Sequence, residues 1–187
     1  ESEIYCSQLL RQRRGFPLFV PGPQQNLPEE YQRTGVSIGD VGRVTTDGIF
    51  DFFFNIYLPA DHPINASDVP EGFCPLAPYA RRDLVHLNVD PGNYVAGPSV
   101  QSVDLDYSSE YVFNLSPHGA ILALPHGAHV EKLENLQNIR QYAAENAENW
   151  YRYINCARGR GLANGSLYLV TGSEKSRSWG MASFNNA

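Results

Sequence analysis

Hydrophobic and polar positions follow a helical period in one long segment and a strand-like alternation in several shorter ones. Between Glu131 and Ile154, apolar residues recur at every third or fourth position, which predicts a long amphipathic helix. The apolar stripe consists of Leu133, Leu136, Ile139, Ala143, Ala147, Trp150 and Ile154. We expect this stripe, including Trp150, to pack on a sheet.

The strongest strand signal is a predicted hairpin near the middle of the chain. Residues 41–45 alternate, an Asp47-Gly48 turn follows, and residues 49–58 (IFDFFFNIYL) are apolar almost throughout. Asp-Gly tolerates the positive φ of tight hairpin turns. A continuous apolar run predicts that 49–58 is a central strand buried on both faces. Further strands are predicted at 107–115, 119–124, 166–171 and 178–184, with a turn at 172–176.

The remaining segments predict short helices and long loops. Residues 3–13 and 28–34 are predicted helices, whereas 59–98 is rich in Pro and Gly and predicts a loop with one short element near 82–87. No repeat or linker divides the chain. The sequence therefore predicts a single α+β domain over 1–187: a mostly antiparallel sheet, the helix 131–154 packed on it, and long loops.

Composition narrows the class of protein. The chain has 187 residues, 42% of them hydrophobic and 12% aromatic, which argues against disorder. Its apolar runs are too short to cross a bilayer, so no membrane is expected. Three cysteines without a CxxC pair indicate reduced thiols. No signal peptide is visible, which predicts a cytoplasmic protein, with release from the cell left open.

Charge is distributed unevenly along the chain. The net charge is −6, but residues 1–139 carry −9 and residues 140–187 carry +3. Of the 14 basic residues 12 are Arg, whose guanidinium matches phosphate geometry. We therefore expect Arg158, Arg160 and Arg177 to bind an anionic substrate. Codon usage is a second explanation for the preference for Arg.

The polar face of the long helix offers the candidate chemistry. Glu145, Glu148 and Arg152 follow one another at steps of three and four, so their side chains share a face. We predict these three as catalytic residues, with Tyr142 and Tyr151 as substrate-binding residues that stack a base. The competing interpretation is that Glu148 and Arg152 form only a surface ion pair.

The histidines indicate no metal site. His118, His126 and His129 lie close together in sequence, but no Asp, Glu or Cys is evident in register with them. Motifs for a phosphate-binding loop, a dinucleotide fold or a GxSxG nucleophile are missing from the sequence. The sequence therefore predicts neither a metal nor a cofactor.

Several strings carry a resemblance to known proteins. They are SIGDVG at 37–42, DGIFDFFFNIYLPADHPIN at 47–65, GAILALP at 119–125, QYAAENAENWYRYIN at 141–155 and GSLYLVTGSEKSRSWGMASF at 165–184. Through them the chain resembles a family of agaricomycete (mushroom) proteins. It is also similar in size and type to ribosome-inactivating proteins of the edodin type, known from shiitake.

The resemblance implies a toxin of fungal defence that inhibits protein synthesis. Its activity would be that of an rRNA N-glycosylase, a hydrolase that removes an adenine from large-subunit ribosomal RNA. The implied partner is the ribosome, and we expect a monomer that needs no cofactor. Plant toxins with this activity carry Glu-Ala-Ala-Arg on a helix. Here the step from Glu148 to Arg152 is four residues, so that motif does not assign the catalytic residues.

Two other functions fit the same residues. The first is a non-catalytic defence or recognition module, such as a lectin-like binder, whose tyrosines and long loops form the binding surface. The second is a metal-dependent ribonuclease that uses His118, His126 or His129 as ligands or bases.

Overall fold

A computed structural model of the chain describes residues 1–100 and 118–185, together with the backbone of 102–105 and 111–114. Helices and strands are mixed along the chain, which confirms the α+β class. No helix among these residues is both long and apolar enough to cross a membrane. The helices are α1 (Ser2–Leu10), α2 (Glu29–Thr34) and α3 (Gln137–Arg152), with a 3-10 turn at Arg81–Asp83 and a π-helical turn at Tyr153–Ala157 that continues α3.

The strands form several small antiparallel sheets instead of one large sheet. They are β1 (Asp40–Val44), β2 (Phe50–Asn55), β3 (Leu84–Val89), β4 (Asn93–Ala96), β5 (Ser102–Leu105), β6 (Tyr111–Asn114), β7 (His118–Leu124), β8 (Ala128–Leu133), β9 (Tyr168–Leu169), β10 (Gly172–Lys175) and β11 (Gly180–Asn185). Three sheets have the orders β2-β1-β9, β10-β8-β3 and β11-β7-β4, and β5 pairs with β6.

The predicted hairpin is present as β1 and β2, and every residue of β2 is buried. Gly48 has a φ of 75°, as the Asp-Gly turn requires. However, the predicted central position of this strand is wrong, because β1 is the central strand of its sheet. Loops cover the free edge of β2: Val20 forms a parallel bridge with Ile49, and the side chain of Asn65 binds Asn55. Burial on both faces therefore does not require strands on both sides.

The main core lies between the β2-β1-β9 sheet and α3. Trp150 is 2% exposed, and its ring meets Phe54 edge-on at a centroid distance of 5.6 Å. Ile139 and Ile154 are buried in the same cluster as Val41. The predicted packing of the helix stripe against strand 49–58 is confirmed for Ile139, Trp150 and Ile154, and Leu136 and Ala143 pack against the same cluster.

The predicted helix begins too early. Residues 128–133 form β8, which pairs with β3 on one side and β10 on the other, and α3 begins at Gln137. Leu133 and Leu136 mimic a helical step, but Leu133 reaches the core from the end of a strand. Pairing with two distant strands determines this conformation, and local periodicity cannot reveal it.

Two other segments also differ from the sequence prediction. Residues 59–98 contain β3 and β4, whereas one short element was expected. The predicted turn at 172–176 is mostly the strand β10. Of the predicted strand 107–115, Tyr111–Asn114 is confirmed, and its other residues lie outside the described part of the chain.

A buried polar network ties β1 to β2. Asp40 is 1% exposed, and its carboxylate accepts hydrogen bonds from Asn55 Nδ2 at 2.7 Å, Ser37 N at 2.7 Å and Tyr31 Oη at 3.0 Å. Gly39 has a φ of 91°, and a Cβ there would lie 2.4 Å from the ring of Tyr57. The SIGDVG string at 37–42, which contains Ser37, Gly39 and Asp40, therefore has a structural role.

We predict that ionisation of Asp40 makes stability depend on pH. Burial raises the pKa of Asp40 to about 7, although its hydrogen bonds act in the opposite direction. The unfolded chain ionises this carboxyl near pH ~4, so between pH ~4 and ~7 the folded state binds more protons. The contribution of Asp40 to stability is therefore present at low pH and is lost as the pH rises through this window. The free energy of unfolding of Asp40→Asn, measured with urea at several pH values, should lack this pH-dependent contribution.

The control is Asp61→Asn, which changes an exposed carboxyl and should leave the pH profile of the wild type intact. The quantity to compare is the slope of the free energy of unfolding against pH. The absolute free energy is not suitable, because an amide nitrogen at position 40 would face other donors and lower stability at every pH. Parallel pH profiles for the wild type and Asp40→Asn would contradict the prediction.

Candidate functional site

The predicted catalytic residues lie on the solvent face of α3, opposite Trp150. Glu148 Oε1 is 2.8 Å from an Arg152 guanidinium nitrogen, and the two side chains are 90% and 66% exposed. Glu145 accepts a hydrogen bond from Gln141 at 2.9 Å. The helix brings the three charged residues together as the spacing predicted, but it presents them on an open surface.

The two predicted base-stacking tyrosines lie on opposite flanks of α3. Tyr142 and Tyr151 are nine positions apart, which at about 100° per residue separates them by about half a turn. The Tyr142 hydroxyl donates to the Cys74 carbonyl at 2.6 Å. The Tyr151 hydroxyl accepts hydrogen bonds from the backbone N–H groups of Gly165 and Leu167 at 2.9 and 3.3 Å. Each tyrosine anchors a loop to the helix, and the structure does not join them in one pocket with Glu148.

Arg158 forms a half-buried cluster with Asp68 and Tyr153 at the end of α3. Its guanidinium binds the Asp68 carboxylate, its Nε donates to the Tyr153 hydroxyl at 3.1 Å, and it lies 5.7 Å from the ring centroid of Phe53. The Tyr153 hydroxyl also donates to Asp68. Burial acts to raise the pKa of Asp68, but the hydrogen bonds from Arg158 and Tyr153 and the charge of Arg158 lower it overall.

Backbone geometry on both sides of this cluster is unusual. Ala66 and Ser67, directly before Asp68, have φ values of 50° and 61°, a conformation that L-residues adopt at a cost. Across from them, Tyr153–Ala157 form the π-helical turn. The loop after β2 is therefore held against the helix end by Asp68, and Arg158 is already engaged within the protein.

A second arginine cluster borders a cavity. Asp51 is buried, and Arg43 Nε donates to its carboxylate at 3.0 Å. A guanidinium nitrogen of Arg160 lies 3.7 Å from the other oxygen of the same carboxylate. The cavity has a volume of about 260 Å³ and is lined by Arg43, Val44, Thr45, Thr46, Gly161, Leu162, Ala163 and Ser166. Of the predicted anion-binding residues, Arg160 belongs to this cluster and directly precedes Gly161, which lines the cavity.

Arg177 is exposed in the segment between β10 and β11. The predicted strands on either side of it, 166–171 and 178–184, do not pair with each other, because β9 pairs with β1 and β11 pairs with β7.

A third group joins a predicted histidine to two residues that the sequence did not single out. His129 lies with His86 and Glu131 on one face of the β10-β8-β3 sheet, and their ligand atoms are within 4.8 Å of one another. The sequence contains a signal for this group, because His129 and Glu131 are two residues apart and share a face of a strand. The predicted helix beginning at Glu131 concealed this strand and its register with β3, which places His86 beside them.

No family model matches the sequence, and neither the curated proteins nor the solved structures contain a significant match. The chemical capability of these three groups therefore follows from their own geometry.

We predict that the two ion pairs at α3 differ in their effect on stability. Arg158→Gln removes charged hydrogen bonds that hold a loop, and should lower the free energy of unfolding by about 1–3 kcal/mol. Glu148→Gln changes an exposed pair and should alter it by less than about 0.5 kcal/mol. Urea denaturation of both variants measures the contrast, and equal effects would contradict the assignment of Arg158 as a loop anchor.

Proposed function

We propose that the protein is an rRNA N-glycosylase that binds the ribosome and removes an adenine from large-subunit ribosomal RNA. The observation that carries the proposal is the arginine cluster around Asp51 beside the 260 Å³ cavity. Depurination requires a cationic site for RNA phosphate, a carboxylate to stabilise an oxocarbenium-like sugar, and a guanidinium to assist the departing purine.

The cavity supports the RNA-binding part of the proposal. Arg43 and Arg160 share the single carboxylate of Asp51, so the group has a formal excess of one positive charge. Thr45 and Ser166 line the same cavity, and the Ser166 hydroxyl donates within the protein to the Ala163 carbonyl at 2.6 Å. Guanidinium groups and hydroxyl donors are the groups that bind phosphate oxygens in proteins. An RNA phosphate is therefore the ligand whose charge and hydrogen bonding fit this cavity.

The pair on α3 supports the catalytic part. The Glu148 side chain is 90% exposed, and Arg152, one helical turn further along, forms an ion pair with its carboxylate. A carboxylate and a guanidinium are thus available side by side to a nucleotide that is flipped out of its stack. Because the hydroxyl groups of Tyr142 and Tyr151 are bound to loops, we assign the roles of base and sugar recognition to the loops around the cavity.

We expect Glu148→Gln to lower depurination of intact ribosomes at least about a hundredfold, the effect of losing one electrostatic or acid–base group. The measurement is release of one RNA fragment that depends on aniline. Glu29→Gln is the matched control, because Glu29 and Arg33 form another exposed i,i+4 pair at 3.2 Å. Full activity of a folded Glu148→Gln protein would exclude Glu148 and direct attention to Glu145 and Asp51.

The same assay separates the three functions. Fragment release without aniline would identify a ribonuclease, and no release in the presence of tight ribosome binding would identify a recognition module. Either result would overturn the N-glycosylase proposal.

We also expect Arg160→Gln to weaken ribosome binding and to reduce the slope of log affinity against log salt by about one, the loss of roughly one phosphate contact. Binding is measured by sedimentation at several salt concentrations. Arg33→Gln removes an exposed arginine outside the cavity and should leave the slope unchanged. Identical slopes for the wild type and Arg160→Gln would contradict a phosphate site at the cavity.

A further inference from the structure

Two neighbouring strands present metal-binding side chains on one face. In the pairing of β3 with β8, His86 lies opposite Glu131 and Asn88 lies opposite His129. Residues two apart on a strand point to the same face, and residues directly opposite each other share that face. The register alone therefore brings two imidazoles and one carboxylate together, without any contribution from a loop.

The three candidate ligand atoms form a nearly equilateral triangle. His86 Nδ1 is 3.4 Å from His129 Nε2 and 3.5 Å from Glu131 Oε1, and His129 Nε2 is 3.6 Å from the same oxygen. These separations all exceed the usual hydrogen-bond distance of about 2.7–3.2 Å. A tetrahedral ion with bonds of about 2.1 Å separates its ligand atoms by about 3.4 Å. The three ligand atoms are thus separated by the distances that such an ion requires.

We propose that His86, His129 and Glu131 bind one divalent transition-metal ion of the Zn²⁺ class and leave at least one coordination position open to solvent. This proposal does not rest on the proposed N-glycosylase activity. Two nitrogen ligands and one carboxylate favour Zn²⁺, Co²⁺ or Ni²⁺ over Mg²⁺ and Ca²⁺, which prefer sites made of oxygen ligands.

A neighbouring amide orients one of the ligands. Asn88 Oδ1 lies 3.1 Å from His129 Nδ1, so that nitrogen carries the proton and donates it to the amide oxygen. The unprotonated lone pair is then on Nε2, which faces the triangle. A hydrogen bond of this kind on the second ring nitrogen is the usual support of a metal-bound histidine.

The surroundings leave room for a further ligand. The side chains of His86, His129 and Glu131 are 47%, 50% and 38% exposed, so an ion can enter directly from solvent. Three protein ligands with an open position are typical of sites that activate water or bind a substrate group.

One positive charge also acts on this face. Lys175 lies opposite His129 on β10, and its ammonium group donates to the Thr34 carbonyl at 2.7 Å. Burial lowers the pKa of Lys175, while the charges of Glu131 and Asp40 act to raise it. Lys175 therefore offsets part of the negative charge of Glu131.

The test is titration of the full chain, stripped with EDTA and dialysed, with Zn²⁺ and separately with Co²⁺. Isothermal titration calorimetry should give one ion per chain, and bound Co²⁺ should show the visible absorption of a tetrahedral site. The double variant His86→Gln/His129→Gln should bind at least a hundredfold more weakly. His126→Gln is the control, because His126 is an exposed imidazole in the turn before β8 and lies outside the triangle.

Two further measurements keep the proposal falsifiable if the double variant unfolds. Asn88→Ala should weaken Zn²⁺ binding by about 10–100-fold, the usual effect of losing such a supporting hydrogen bond. In the wild type, NMR signals of the His86 and His129 rings should shift on addition of Zn²⁺, while those of His126 remain in place. Absence of binding to the wild type, equal binding by the folded double variant, or shifts confined to other histidines would overturn the proposal.

Discussion

The burial of Asp40, the first residue of β1, is the constraint on which the rest of the fold depends. A carboxyl group in an apolar core is costly unless donors surround it. Asn55, Ser37 and Tyr31 provide donors, although burial still raises the pKa of Asp40. The same Asn55 presents its backbone N–H to the side-chain oxygen of Asn65, whose amide in turn donates to the Asn55 carbonyl at 3.0 Å. One network therefore fixes the hairpin, the residues before it and the loop after it.

Because Asn65 pairs with the backbone of β2 as another strand would, the loop after β2 closes the free edge of the sheet. It then continues along one flank of α3, where Asp68 meets Arg158 and the Cys74 carbonyl meets Tyr142. The loop that contains Gly165 holds the other flank through Tyr151. The helix α3 thus packs against the core on one face and is hydrogen-bonded to loops on both flanks. What remains exposed to solvent is the face that carries Glu148.

Folding also redistributes charge. Two arginines of the basic C-terminal part meet carboxylates from the acidic part: Arg158 binds Asp68, and Arg160 lies beside Asp51. In the other direction, Arg14 pairs with Glu174 at 2.6 Å. A charge imbalance along the chain therefore becomes a set of local ion pairs. A net positive group borders a cavity where Arg43 and Arg160 share the single carboxylate of Asp51.

The sequence alone determined the α+β class, the hairpin of β1 and β2, and the apolar stripe of α3 that includes Trp150, because each depends on local periodicity and turn chemistry. It also determined that Glu148 and Arg152 share a helical face. Only the tertiary structure decided the edge position of β2, the strand character of residues 128–133 and 172–175, and the opposite placement of Tyr142 and Tyr151. It alone joined His86 to Glu131, since strand register between segments about forty residues apart follows from non-local hydrogen bonds and shared burial, which leave no local trace in the chain.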